Sequence, residues 1–390
     1  MPFPRVCPNP QCPNHRSPAR RWWRPYGSYP TRAHGAVRRV RCRHCGATAS
    51  TQTESLHYFA KRRLPLSAVW LSLLGGASQR DIARRYGVSP MAVQGAVLRL
   101  GRQAMAAQLQ LLAALRPRSR LVFDGLRSCV TSGDFPCDIT TVVEPKGETV
   151  LTMTHTVFRR GGTRTPAQRR RSAAKYARWR PQAGTMKRDI SQLLTELWDY
   201  LRPAVGAPAT VDTDEQPLYR ALIAEDPRAA HFRLARLLRH RRTPGSAPRT
   251  RANPLFAVNY LDRLLRHRLR EHTRESFAIG RHAVMQMHRA WIFAWDHNAF
   301  RLHRVRRPHG GVHATQSAVQ AAFLTHCSAE FFTRRIRPRG VGVPQTVRRV
   351  WLGELPTPPL RWRRGQTGTT VVVPRYARRE LEAAAMQQAA

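Results

Sequence analysis

The stretch RLVFDGLR, residues 120–127, decides how the rest of the chain is interpreted. Leu121, Val122 and Phe123 form an apolar run that predicts a buried strand, and the strand is expected to end at an acid, Asp124. The chain carries 67 lysine and arginine residues against 23 aspartate and glutamate residues, a formal net charge of +44. A carboxylate at the end of a buried strand in so basic a protein therefore requires an explanation.

Further strands and helices are predicted downstream of this stretch. The segments CDITTVVEP and GETVLTMTHTVF read as strands joined by a PKG turn, and PATVDTDE and HFRLARL as two more. The polar, basic residues 159–184 read as a loop. Helices are predicted in TMKRDISQLLTELWDYLRP, in QPLYRALIAE, over 255–273 and 281–300, and near 315–334.

This order of elements predicts an α/β fold, a ribonuclease-H-like mixed sheet flanked by helices. In such a sheet the first and fourth strands lie side by side. Acids at their ends would converge: Asp124 on the first strand, and Asp212 or Asp214 on the fourth. Two carboxylates this close repel each other unless a divalent cation lies between them. Mg²⁺ or Mn²⁺ ions about 4 Å apart can activate a water or 3′-hydroxyl and stabilise the leaving oxygen of a phosphodiester.

The N-terminal segment contains two close cysteine pairs. Cys7 and Cys12 flank PNPQ, and Cys42 and Cys45 flank RH. Pairs joined by a loop of this size predict a tetrahedral four-thiolate zinc site. The first spacing is one or two residues longer than usual, and His15 or His44 remain as alternative ligands. Cys129, Cys137 and Cys327 are scattered and are predicted to be core thiols.

Residues 57–116 predict a helix-turn-helix unit. Ser78 and Asp81 form a capping-box pattern, and Ser89 followed by Pro90 predicts a second helix start. The second helix of such a unit can enter the major groove of DNA, whereas an ordinary helical hairpin is the structural alternative. The residues expected to contact DNA are Arg80, Ser89, Met91, Gln94 and Arg99.

The charge predicts a polyanionic partner. At a net charge of +44 the basic side chains repel one another unless an anion is bound. Double-stranded DNA is the expected anion. Only four of the basic residues are lysine. Arginine forks onto phosphate and guanine, but a GC-rich coding bias explains the same excess. A structural RNA-binding protein would explain the charge but not the acids.

The remaining composition bears on location. No run of 18 apolar residues occurs, and MPFPRVCPNPQC lacks the apolar core of a signal peptide. A cytoplasmic protein is therefore expected, and its expected DNA partner would associate it with the nucleoid. In a reducing compartment its seven cysteines are metal ligands or free thiols.

Zinc knuckles, a helix-turn-helix and then this α/β core resemble bacterial insertion-element transposases of the DDE type. The segment TVDTDEQPLYRAL is similar to the second-acid motif of that family, which selects Asp214 over Asp212. The segment from NPLF to WDHN resembles its third-motif region, and the resemblance covers roughly residues 5–300. It implies an enzyme that cuts and joins DNA strands with Mg²⁺ or Mn²⁺, as a homo-oligomer on element ends and target DNA.

Two positions depart from the family pattern. Gly125 follows the first acid, where the family often has a second acid. The third acid is ambiguous, because Glu275 and Glu271 lie in the right region while Asn259 occupies the helix position where related elements carry Glu. Glu275 and Asn259 are both candidates, and ion pairing on a solvated helix face is the alternative for the two glutamates. These departures favour a rival hypothesis, a non-enzymatic DNA-binding protein.

The predicted organisation has four parts. They are a zinc ribbon over 1–56, a helix-turn-helix domain over 57–116, a ribonuclease-H-like core over 117–305 and a basic C-terminal extension over 306–390. His267 and His272 lie near the third motif and are expected to be solvated.

Overall fold

The computed structural model describes residues 3–9, 11–116, 118–203, 206–273, 278–306, 310–338, 341–360 and 371–389. Within these residues the chain forms a small antiparallel sheet at the N-terminus, a set of helices, and a larger mixed sheet with helices around it. The larger sheet and most helices share one continuous hydrophobic core. Three of the four N-terminal cysteines, Cys7, Cys12 and Cys42, form a second, smaller cluster with Trp22.

The N-terminal module is built on three antiparallel strands. A short helix, α1 (Pro13–Arg16), precedes β1 (Trp23–Thr31), β2 (Gly35–Cys42) and β3 (Thr48–Ser50). The strands pair in the order β1-β2-β3. After β2 the chain turns through Gly46, whose φ of +72° favours glycine.

Three helices connect this module to the core. They are α2 (Leu66–Leu74), α3 (Gln79–Arg85) and α4 (Pro90–Ala114). Ser78 and Asp81 form the expected capping box at α3, and the Ser89 side chain caps α4 by accepting a hydrogen bond from the N–H of Ala92. The second half of α4 is buried almost throughout, so this helix reaches into the same core as the large sheet.

The large sheet has five strands. They are β4 (Arg120–Val130), β5 (Ser132–Glu144), β6 (Thr149–Val157), β7 (Ala209–Asp214) and β8 (Leu238–Thr243). Their order is β6-β5-β4-β7-β8. The β4–β5 and β5–β6 pairs are antiparallel, and the β4–β7 and β7–β8 pairs are parallel. The expected mixed sheet is thus confirmed, with its first and fourth strands side by side.

Ten further helices surround and follow this sheet in the described residues. They are α5 (Pro166–Arg178), α6 (Thr185–Leu197), α7 (Pro217–Glu225), α8 (Pro227–Leu234), α9 (Phe256–Arg268), α10 (Ala283–Trp295), α11 (His313–Gln316), α12 (Ala321–Ala329), α13 (Gln345–Trp351) and α14 (Arg375–Ala389). Trp291 and Trp295 of α10 are fully buried, as is Trp351 of α13. The C-terminal region therefore contributes to the core, although the sequence predicted only one helix there.

Three expectations about single elements were wrong. Residues 159–184 are not a continuous loop, because Thr165 and Gln168 form a capping box that starts α5. The segment HFRLARL is not the fifth strand: it lies largely in α8, whose N-cap is Asp226, and the strand β8 follows it. Asp124 is not the last residue of its strand, since β4 continues to Val130 along its antiparallel partner β5.

None of the helices in the described part of the chain combines the length and the apolar character needed to cross a membrane.

Candidate functional site

Two parallel strands bring Asp124 and Asp214 to one place. The β4–β7 pairing aligns Leu121 with Val211 and Val122 with Asp212. Continued by two residues, this register sets Asp124 beside Asp214, beyond the last paired position. Asp124 accepts a hydrogen bond of 2.7 Å from the N–H of Gly125, and Asp214 accepts one of 2.9 Å from the N–H of Gln216. Both carboxylates therefore lie just past the paired part of β4 and β7, although Asp124 still pairs with Thr141 of β5 and Asp214 with Thr243 of β8.

Asp212 has a different environment. Its side chain is fully buried and receives Arg120 from β4 at 2.6 Å and Arg241 from β8 at 2.5 Å. Both arginines also hydrogen-bond to it. A carboxylate held between two guanidinium groups is already neutralised. Asp212 thus joins three strands, while for Asp214, the other acid of β7, the described residues provide no such arginine pair.

A cleft of about 440 Å³ opens in front of Asp124, and α9 forms one wall. Asn259 and Asp262 of this helix both line the cleft. They are three residues apart and therefore share a helix face. Asp262 is 9% exposed, and one of its oxygens, Oδ1, is buried without a hydrogen-bond partner among the described residues. An unsatisfied buried carboxylate oxygen is costly and indicates a missing donor or cation.

The carboxylates act on one another electrostatically. Burial, followed by the charge of Asp214, raises the pKa of Asp124 to about 7. Burial also raises the pKa of Asp262 well above its ordinary range, and the charges of Asp124 and Asp138 add to that shift. Arg249 opposes both shifts. A cation bound between such carboxyl groups lowers their pKa values and so favours the charged carboxylates.

A fourth acid, Asp138 of β5, belongs to the same group. It is 2% exposed, and burial raises its pKa to about 6 although Arg127 lies 3.2 Å away. A Cβ atom at Gly125 would lie 2.5 Å from Asp138 Oδ1. The absence of a side chain at Gly125 therefore leaves room for the carboxylate of Asp138 on the neighbouring strand.

The other candidate residues, between 267 and 275, differ in their environments. Glu275 lies outside the described residues. Glu271 is buried and pairs with Arg289 at 3.1 Å, so it is not on a solvated helix face. His272 is also buried, with Nδ1 3.0 Å from the hydroxyl of Ser128, which contradicts its expected solvation. His267 is exposed, as expected.

The four N-terminal cysteines form one cluster. Cys7 Sγ lies 3.4 Å from Cys45 Sγ, and Cys12 Sγ lies 3.8 Å from Cys42 Sγ. All four sulfur atoms lie within 4.8 Å of one another. Tetrahedral zinc with bonds of about 2.3 Å separates its sulfur ligands by about 3.8 Å. The cluster could therefore bind zinc, as the cysteine spacing predicted.

The two histidines considered as alternative ligands lie outside this group. His15 Nδ1 is 2.6 Å from the carbonyl oxygen of Cys7, so this ring donates a hydrogen bond to the knuckle backbone. His44 is exposed. Burial raises the pKa of Cys42, but hydrogen bonds from the backbone of Cys45 and His44 act against it and bring the pKa down to about 6. These N–H groups favour a thiolate, the form that binds metal.

The residues expected to contact DNA are arranged around α3 and α4. Arg80 is exposed and Met91 is 70% exposed. Arg80 and Gln94 line a cleft of about 630 Å³ that Arg270 and other basic residues also border. The remaining two have structural contacts: the Ser89 hydroxyl caps α4, and Arg99 donates a hydrogen bond of 2.9 Å to the carbonyl of Gly95. DNA contact by these residues stays a prediction.

Sequence reasoning missed Asp138 and Asp262, and a signal for each was present. Asp262 follows Leu261 and precedes Leu265 on the apolar face of α9, where a solvated acid is not expected. Asp138 directly precedes the apolar and β-branched run at 139–143 of β5. Acids on buried faces are rarely unpaired without a function. Their convergence with Asp124 requires the sheet register, which the sequence alone does not provide.

The fold and site define an α/β protein with a mixed five-stranded sheet, several aspartates that act on one another electrostatically, and a separate cluster of four cysteines. A comparison with models of known protein families finds no match, and a comparison with curated proteins finds no similar sequence.

Proposed function

We propose that this protein is a DNA transposase with a ribonuclease-H-like core, which cuts and joins DNA strands at the aspartate cluster. The observation that carries the proposal is the electrostatic coupling of Asp124 with Asp214 and with Asp262, together with a pKa of Asp124 that burial and then Asp214 raise to about 7. Folding does not require acids that repel one another in a chain of net charge +44, so their presence indicates a functional site.

The donor set fits a hard divalent cation. Carboxylate oxygens are the ligands that Mg²⁺ and Mn²⁺ prefer, and Asp262 Oδ1 is an unpartnered buried oxygen among the described residues. When bound, the ion would activate the attacking hydroxyl and stabilise the leaving oxygen of a phosphodiester. Asp124, Asp214 and Asp262 would hold it, and Asp138 would fix the position of Asp124 by filling the space at Gly125.

The surroundings of the acids suit a polyphosphate substrate. Four arginines line the cleft: Arg127, Arg249, Arg263 and Arg266. Guanidinium groups bind phosphate oxygens in a bidentate manner and would hold the strand while the acids hold the metal. Asn259 lies on the same wall and would serve as a hydrogen-bonding group. The N-terminal zinc ribbon and the α3–α4 helix-turn-helix would recognise element ends, with a homo-oligomer holding two ends and the target.

Strand cleavage by purified protein tests this proposal. With supercoiled plasmid and Mg²⁺ or Mn²⁺ we expect Asp124→Asn, Asp214→Asn and Asp262→Asn each to lower cleavage by more than about 100-fold. DNA binding, measured by gel shift, should remain because the arginines are unchanged. Asp199→Asn is the matched control, since its side chain is 64% exposed and pairs only with Arg228 among the residues that the structure describes.

The variants also decide the third position. If Asn259→Ala or Glu275→Gln abolishes cleavage while Asp262→Asn does not, the third acid has been wrongly assigned. If Asp124→Asn cleaves as well as the wild type, the enzyme hypothesis fails. The protein is then a non-enzymatic DNA-binding protein, which the same gel shifts would show.

A further inference from the structure

A second group of possible metal ligands lies apart from the aspartates and the cysteines. Glu148, His303 and His313 each offer one ligand atom, and these atoms lie within 4.8 Å of one another. Glu148 Oε2 lies 3.9 Å from His303 Nε2 and 3.7 Å from Nδ1 of His313, whose Nε2 is on the same ring. Glu148 and His313 are 3% exposed, so the group is built into the protein and is not a chance surface cluster.

The two histidines come from segments that pair with each other. Leu302 bridges Val312, and the N–H of His303 donates a hydrogen bond of 3.0 Å to the carbonyl of Gly311. His303 and His313 are thereby brought to adjacent positions although they are ten positions apart in the sequence. Their rings meet edge to face, with centroids 4.9 Å apart.

Backbone carbonyls orient two of the rings at this site. His313 Nδ1 lies 2.8 Å from the carbonyl oxygen of Gly147. A carbonyl only accepts, so Nδ1 carries the proton and Nε2 carries the free lone pair. His297 donates in the same way to the carbonyl of Glu148 at 2.8 Å and stacks on His313 at 3.8 Å. Metal-binding histidines are typically oriented by such a hydrogen bond from the other ring nitrogen.

The remaining ligand atoms are also available. His303 Nε2 is buried and has no hydrogen-bond partner among the described residues. Arg304 binds Glu148, at 2.9 Å through Oε1 and at 3.2 Å through Oε2. The closer contact can persist while Oε2 ligates an ion, because carboxylate oxygens have several lone pairs. Hydrogen bonding of a ligating carboxylate to a second group is common at metal sites.

We propose that Glu148, His303 and His313 form a binding site for a divalent transition ion of the Zn²⁺ class. Two imidazoles and one carboxylate suit such an ion better than Mg²⁺, which prefers oxygen ligands throughout. The group borders a cleft of about 370 Å³ that Arg251 and Arg301 also line. Three protein ligands leave a position open toward this cleft, where a water or an anionic oxygen would complete the coordination.

This site is separate from the proposed nuclease centre but adjoins it. Phe256 and Tyr260 of α9 line both clefts, and their rings stack at 6.0 Å. The ion would tie the β5–β6 turn, which carries Glu148, to the segment that carries His303 and His313. Because its ligands are not among the aspartates, this metal site does not depend on the strand-cleaving activity proposed above.

Zinc content of the full-length protein tests the proposal. After equilibration with micromolar zinc and removal of the excess, we expect a second zinc ion per chain beyond the one held by the cysteines. His303→Ala and Glu148→Gln should each lower the affinity for the second ion by more than about 100-fold. His326→Ala is the matched control, since His326 is exposed and lies outside the cluster.

Two comparisons identify the source of the second ion. Asp124→Asn should retain it, because the aspartates are a different site. With Co²⁺, the thiolate charge-transfer band should survive in His303→Ala while the weaker absorption of the nitrogen and oxygen site is lost. Circular dichroism and the thermal midpoint would show that this variant folds.

The proposal is overturned if the wild type binds zinc only at its cysteines. It is also overturned if folded His303→Ala and Glu148→Gln bind the second ion as the wild type does. Should His303→Ala fail to fold, the wild-type stoichiometry and Glu148→Gln still decide. The three residues would then be a metal-free network in which Arg304 neutralises Glu148.

Discussion

Partners determine what each aspartate of the central sheet does. Asp212 is fully buried between Arg120 and Arg241, whereas Asp124 is half-buried and lies beside other acids. The sequence predicted Asp124 and Asp214 correctly as neighbours, because strand order and an acid after an apolar run suffice for that inference. It did not reveal Asp138 or Asp262, because their contribution depends on strand register and on the rotation of α9.

Gly125 is predicted to be indispensable for the packing of Asp138. A methyl group at Gly125 would meet both carboxylate oxygens of Asp138, at 2.5 and 2.6 Å. Gly125→Ala should therefore lower the free energy of unfolding by about 1–3 kcal/mol, measured by urea denaturation. Gly133→Ala is the control, since nothing lies within 4 Å of its added Cβ. Equal stability of the two variants would contradict this packing.

The aspartate cluster predicts a pH dependence of stability in metal-free protein. The pKa of Asp124 rises from 3.8 to about 7 on folding, through burial and Asp214, while Arg249 opposes the shift. The charges of Asp138 and Asp262 also interact with that of Asp124. Between these pH values the folded state binds more protons than the unfolded state, so stability falls as pH rises through this window.

Asp124→Asn should flatten that decline, and saturating Mg²⁺ or Mn²⁺ should oppose it in the wild type. Thermal midpoints at several pH values measure both effects. The exposed-site variant Asp199→Asn should keep the wild-type slope. A wild-type slope that persists in Asp124→Asn would mean that other groups cause it.

At the scale of the element, helix starts with a side-chain cap could be predicted from the sequence, whereas strand ends that depend on pairing could not. The helix starts at Ser78 and Ser89 were predictable because a side-chain cap is a local signal. The start of α5 at Thr165 carries the same signal, but the basic composition of 159–184 hid it. The extension of β4 beyond Asp124 was not predictable, since it depends on pairing with β5, a non-local contact.

Asp212 is predicted to hold β4, β7 and β8 together. Asp212→Asn removes a buried charge that two arginines share, so it should lower the free energy of unfolding by about 1–3 kcal/mol. The loss is moderated because Arg120 and Arg241 are 42% and 45% exposed and can be resolvated. Urea denaturation measures this. At a temperature where the variant is folded, strand cleavage should remain, in contrast to Asp214→Asn.

The N-terminal module is predicted to depend on its metal. Cys42 lies 3.8 Å from Cys12 at the centre of a small hydrophobic cluster, so little else stabilises this part. Cys42→Ser should release the zinc of this site and make residues 1–50 sensitive to protease while the core remains resistant. Cys327→Ser is the control, because that thiol lies in the main core. Elemental analysis without any zinc in wild-type protein prepared under reducing conditions would contradict the thiolate site.

At the scale of the whole molecule, charge and carboxylates have complementary roles in the proposed activity. The chain has a formal net charge of +44, yet Asp124, Asp138, Asp214 and Asp262 act on one another electrostatically at one end of the central strands. The charge was predictable from composition alone. The distribution was not, because it depends on which of the acids meet arginine partners, as Asp212 does, and which meet one another.

The salt dependence of DNA binding is the corresponding prediction. The logarithm of the binding constant should fall with the logarithm of salt concentration by about 0.9 per phosphate contacted. Arg80→Ala should reduce this slope by about 1, because Arg80 is exposed and suited to a phosphate contact. Gln94→Ala should leave the slope unchanged and instead reduce discrimination between sequences, because an amide reads base edges without carrying charge. Fluorescence anisotropy over a salt series measures both effects. A binding constant that does not change with salt, in the wild type and in Arg80→Ala alike, would exclude DNA phosphate as the partner of this surface.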